Sequence, residues 1–163
     1  MTPENPPLSS SLPLDAALKR NLHLDVLITI MIGGALGALL RELVAFWLTG
    51  TATTAFPWGI LIANLSGAFL LGLFATWVDG LFRHHLFRLF WEIGFIRSFT
   101  TMSTLSLQSI VLIEAGAWGV FAPYIAVSVV GGLLLFWSGE RLGVSMAKAR
   151  ADRAERDRVE KEL

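Results

Sequence analysis

Long apolar runs separated by short polar stretches dominate the middle of the chain. Crossing the roughly 30 Å hydrocarbon layer of a bilayer takes about 20 apolar residues in a helix. Four stretches approach that length: Val26 to Leu48, interrupted late by Arg41-Glu42; Phe56 to Val78, uncharged; Leu86 to Leu112, carrying Glu92 and Arg97; and Ala117 to Ser138, uncharged. The pattern predicts an all-α integral membrane protein with four transmembrane helices over residues 25–140. Residues 1–24, rich in Pro, Ser and Leu without periodicity, read as a disordered tail. Over 141–163, Asp152 with Arg156 and Asp157 with Lys161 stand four apart, which favours a solvated helix continuing the fourth span. Trp47, Trp58, Trp77, Trp91, Trp118 and Trp137 all fall near proposed span ends, where an indole suits the headgroup layer.

Composition sharpens this picture. Of 163 residues 54% are hydrophobic and 16% charged, far greasier than a soluble domain. The 13 basic and 13 acidic residues cancel and lie largely outside the apolar bulk, so no basic footprint for nucleic acid exists. With no cysteine and three histidines, disulfide frameworks and thiolate metal sites are excluded. No mid-span acid pair, phosphate loop or plausible Ser/His/Asp arrangement points to an enzyme. An even number of spans puts both termini on the side of the central loop. That side carries Lys19, Arg20, Arg83, Arg88, Arg141, Lys148, Arg150 and Arg153, against Arg41 alone on the other, so both termini are expected in the cytoplasm of a multi-pass plasma-membrane protein.

The spans hold unusual residues. Gly33 and Gly37 form a GxxxG face on which another backbone can approach. Arg41, about 22 Å along its helix from Val26, is placed near the outer interface, either as a snorkelling anchor or as a functional cation. Asn64 must face protein or water, as an interhelical hydrogen bond or as a site residue. Between Ser98 and Ser109 stand Thr100, Thr101, Ser103, Thr104, Ser106 and Gln108, too many polar groups for a lipid-facing helix. Such groups can replace part of an anion's hydration shell and also loosen a helix, which is tolerated where it lines an ion site. Arg97 just before them is a functional-site candidate if it lies inside the span, and an interfacial residue if the helix starts later. Tyr124 and Ser128 share one face of the fourth span.

Three blocks, in order, resemble the CrcB/Fluc fluoride channel family. They are Gly33-Gly34-x-x-Gly37-Ala38-x-x-Arg41; Phe56-Pro57-x-Gly59-x-Leu61-x-x-Asn64-x-x-Gly67-x-Phe69; and Gly94-Phe95-x-x-x-Phe99-Thr100-Thr101-x-Ser103-Thr104. The resemblance implies fluoride export from the cytoplasm through two narrow pores at the interface of an antiparallel dimer, with the third helix broken near the membrane midplane. It implies pore donors at Asn64, Ser103, Thr104 and Ser106, a vestibule cation at Arg41, and a polar track through Tyr124 and Ser128. It also implies helix packing at Gly33, Gly37 and Gly67, and a central Na+ held by backbone carbonyls at the break, beside Arg97 and Thr100. The chain departs from the family at Met102 and Leu105, where phenylalanine edges usually face the anion, at Glu42, and at Arg97-Ser98, which replace a glycine pair. Two Arg97 charges meeting near a homodimer axis would repel. Arg97 is therefore expected to replace or exclude the sodium, and the favoured partner is a homologous, oppositely oriented subunit rather than a second copy. A non-conducting accessory subunit is the rival reading. A four-span cation or drug antiporter is a third, disfavoured because its essential acid would lie deeper than Glu42.

Overall fold

The computed structural model describes residues 24–48, 55–81 and 85–162. Apart from Leu24, the tail expected over 1–24 lies outside these residues, as does the basic loop with Arg83. Helix α1 is Leu24–Leu48 and α2 is Trp58–Leu81. Helix α3 opens as His85–Arg88, passes through a π-helical stretch, Leu89–Ile96, and closes with Arg97–Phe99. Helix α4 is Met102–Glu114. Helix α5 opens as Trp118–Ala126, passes through a second π stretch, Val127–Gly131, and continues as Gly132–Glu162. The described residues contain no strand. Three helices, α1, α2 and α5, are long and apolar enough to cross a membrane. The third sequence stretch is divided between α3 and α4, and the 13 residues of α4 reach only about 20 Å.

Small residues set the packing. A Cβ on Gly33 would lie 2.6 Å from the Phe90 carbonyl oxygen, and one on Gly37 would overlap that of Phe95, so α1 and α3 meet backbone to backbone. Between α2 and α5 the contact is reciprocal: Gly72 lies against the Phe136 carbonyl and Gly139 against that of Phe69. With lipid as apolar as leucine, this close packing replaces the hydrophobic effect as the force joining helices. Between α4 and α5 the chain turns at Gly116, whose φ of 68° a Cβ would strain. The Gly116 N–H donates to Ile113 O and the Ala117 N–H to Leu112 O, both at 2.9 Å, a Schellman closure of α4. Leu61, Leu105, Leu112 and Tyr124 form the core joining α2, α4 and α5, with Phe56 edge-on to Tyr124 at 5.8 Å.

The helix of the fourth span runs on past Ser138 without interruption to Glu162, so the charged tail is one rod with it. Asp152 and Arg156, and Asp157 and Lys161, share faces but form no ion pair among the described residues. The i,i+4 pair that does form is Arg88 with Glu92, at 2.8 Å, with the Glu92 side chain only 15% exposed. Trp91, read as an interface marker, is half-buried in a ring cluster with Phe74, Phe90 and Phe95.

Candidate functional site at the helix break

The break is two residues long. Thr100 turns to φ −83°, ψ 152°, Thr101 stays extended at φ −151°, ψ 125°, and helix resumes at Met102. Thr101 caps α4, its hydroxyl oxygen accepting the Thr104 N–H at 3.2 Å. The same hydroxyl donates to Thr104 Oγ1 at 3.2 Å and lies 3.0 Å from Ser103 Oγ. A Cβ on Gly67 would overlap the Thr100 methyl, so α2 can lie directly on the break.

Two side chains from other helices hold these loosened peptides. The Asn64 carboxamide pairs with Thr101 like a strand neighbour: the Thr101 N–H donates to Asn64 Oδ1 at 2.7 Å, and Asn64 Nδ2 donates to Thr101 O at 3.0 Å. Both groups that leaving the helix would orphan are satisfied, and Asn64 keeps one amide hydrogen to spare. Arg41 reaches back along α1 and donates from Nη1 to Ser98 O at 3.0 Å, closing the last turn of α3. Its Nε and Nη2 donate to Glu42 Oε1 at 3.2 and 3.1 Å. Arg41 is therefore tied to the break, whereas spacing alone left it open between an anchor near the outer interface and a functional cation. A hydrogen bond from a charged donor is worth about 1.5–3 kcal/mol. Arg41→Leu is accordingly expected to lower the thermal unfolding midpoint by several degrees, read from tryptophan fluorescence.

A groove of about 540 Å³ opens beside the break, lined by Asn64, Arg97, Thr100, Thr101, Met102 and Ser128 among others. Leu105 also borders it but turns mostly into the core at 8% exposure, whereas Met102 is 73% exposed. Ser103 and Ser106 are exposed, while Thr104 is half-buried. Tyr124 is fully buried and donates from its hydroxyl to Gln108 Oε1 at 2.9 Å, and Ser128 Oγ donates to the Tyr124 carbonyl at 2.7 Å. The Tyr124 hydroxyl thus turns from Ser128 towards α4. Arg97 is exposed and has no hydrogen bond or ion pair among the described residues. Around one groove the fold thus gathers Asn64 from α2, Arg97 from α3, the break and Ser128 from α5, with Ser103, Thr104 and Ser106 following on α4.

Sequence reasoning counted Thr101 and Gln108 in the polar tract but missed the cap that Thr101 makes and the bond that Gln108 accepts from Tyr124. Thr101 stands three residues before Thr104, the spacing of an N-cap with its acceptor, which was a usable signal. For Gln108 no local signal exists, since its partner lies 16 residues away.

The same segment, residues 28–140, matches the family model described as CrcB-like protein, Camphor Resistance (CrcB). The chain belongs to the CrcB family. Its relatives include the fluoride-specific ion channel FluC 2 of Symbiobacterium thermophilum, 41% identical over 113 residues, covering 68% of this chain and 90% of the relative. The fluoride-specific ion channel FluC of Leptospira interrogans is 37% identical over 117 residues, covering 69% and 90%. That of Phocaeicola vulgatus is 37% identical over 122 residues, covering 75% and 98%. The CrcB match takes in α1 from Ile28, α2 to α4, and α5 as far as Glu140, and so contains the break and every residue that supports it.

Proposed function

We propose that the chain is one subunit of a fluoride-selective channel that exports fluoride from the cytoplasm and relieves its toxicity. The observation that carries this is the Asn64–Thr101 pairing at the break, which holds a non-helical segment beside an open groove. Fluoride is small and strongly hydrated, so a pore must offer close donors in place of water. The spare Asn64 amide hydrogen and the exposed Ser103 and Ser106 hydroxyls are such donors. Together α3 and α4 make the third of four spans, each of them too short to cross alone. The bias of basic residues puts both termini in the cytoplasm of a plasma-membrane protein. The subunit pairs in antiparallel fashion, and the favoured partner is a homologous, oppositely oriented chain, because the same bias opposes one chain inserting both ways.

A second reading, a non-conducting accessory subunit, is favoured by one feature. The positions where the family usually shows phenylalanine edges carry exposed Met102 and core-facing Leu105, neither of which offers a ring edge to an anion. Fluoride efflux from liposomes, with chloride as control, separates the readings. Efflux is expected from this chain co-expressed with a related four-span subunit of the same source. Efflux from this chain alone would replace the mixed pair with a homodimer, and silence from both inserted preparations would favour the accessory role.

A further inference from the structure

Two arginines flank the break, and their surroundings are opposite. Arg41 has all three guanidinium nitrogens engaged, on Ser98 O and Glu42. Arg97 has no partner among the described residues and opens onto the groove with Thr100 and Thr101. A guanidinium stays charged and offers five donors in a fixed fork. Inside a membrane protein such a group is costly unless acceptors meet it.

Acceptors in its own chain are largely taken. Of the six carbonyls from Ile96 to Thr101, four already accept hydrogen bonds. Ile96 O takes the Thr100 N–H at 3.1 Å, and Arg97 O takes the Thr100 hydroxyl at 3.4 Å. Ser98 O takes Arg41, and Thr101 O takes Asn64. A monovalent metal ion drawing on these carbonyls would share the groove with the fixed positive charge of Arg97. The donor set here does not suit the sodium ion that the family resemblance implies.

We propose that Arg97 is the resident cation of the break. Its guanidinium donates to oxygen acceptors on the facing subunit, in the place of a bound sodium ion, and the assembly holds together without one. This rests on the two-subunit reading above and narrows the partner: the facing subunit presents oxygens and no cation at the matching position.

The test uses the assembly purified with its co-expressed partner, with sodium exchanged for N-methyl-D-glucamine. Pairing is read by cross-linking and size-exclusion chromatography, and stability by the thermal midpoint. The wild-type assembly is expected to keep its pairing and midpoint in both salts. Arg97→Gln should lower the midpoint by about 4 °C or more in both, with Arg97→Lys recovering part of the loss. A wild-type midpoint that falls when sodium is withdrawn, or Arg97→Gln as stable as wild type, would overturn the proposal. Should Arg97→Gln fail to assemble, Arg97→Lys decides: assembly without sodium supports the resident cation, and a need for sodium refutes it. Fluoride efflux from the same preparations stands apart, since silence with intact, sodium-independent pairing counts against the channel reading alone.

Discussion

Asn64→Ala is expected to abolish fluoride efflux and to loosen the junction between α3 and α4. The substitution removes both bonds to Thr101 at once and leaves its N–H and carbonyl without partners. An orphaned peptide group costs up to about 1–3 kcal/mol when buried, and these two, part-buried beside the groove, together still cost a sizeable share of the stability of a small fold. Asn64→Asp separates structure from conduction. Its carboxylate still accepts the Thr101 N–H, yet it has no hydrogen for the Thr101 carbonyl and adds negative charge to the groove an anion must enter. Asn64→Asp should therefore survive purification better than Asn64→Ala while remaining silent in liposome efflux. Efflux at the wild-type rate from either variant would remove Asn64 from the site.

Gly139→Val should prevent recovery of folded protein altogether. A Cβ at Gly139 overlaps the Phe69 carbonyl oxygen and lies 2.9 Å from the Leu73 nitrogen, and both obstacles are backbone that cannot swing aside. The facing Gly72 has the same constraint, with the Glu140 nitrogen 3.0 Å away, so α2 and α5 cannot separate at one point and close at the other. Overpacking costs about 1–3 kcal/mol where side chains can adjust, and this site lies at or beyond the top of that range. The control is Gly119→Ala in the same helix, where nothing lies within 4 Å. That change should be neutral or stabilise by about 0.5–1 kcal/mol through helix propensity. Size-exclusion profiles and thermal midpoints of the two variants decide the matter, and a monodisperse Gly139→Val would contradict the packing described.

What the sequence made legible was what repeats or stands close by. Gly33 and Gly37 announced a close helix contact through their spacing of four, and the crowd of hydroxyls after Arg97 announced a loosened third span. The engagement of Arg41 was hidden because Ser98 lies 57 residues away, and only the crossing of α1 over α3 brings the two together. Asn64 could be read as polar and important, yet its two-sided pairing depends on the extended conformation of Thr101, 37 residues on. The π stretches were illegible for another reason: shifting a hydrogen bond by one residue leaves no period in the apolar pattern. Hydropathy changes at Ser138 while backbone geometry does not, so one helix runs unbroken from the span into the charged tail.

That unbroken backbone makes α5 a mast. From Arg141 to Glu162 it extends about 30 Å at 1.5 Å per residue, rigidly joined to the part that packs on α2. Two identical chains inserted in opposite directions would raise one mast on each face of the bilayer. A mixed pair whose other member lacks the extension would show a single mast, on one face only, so a low-detail electron image could distinguish the two assemblies by silhouette.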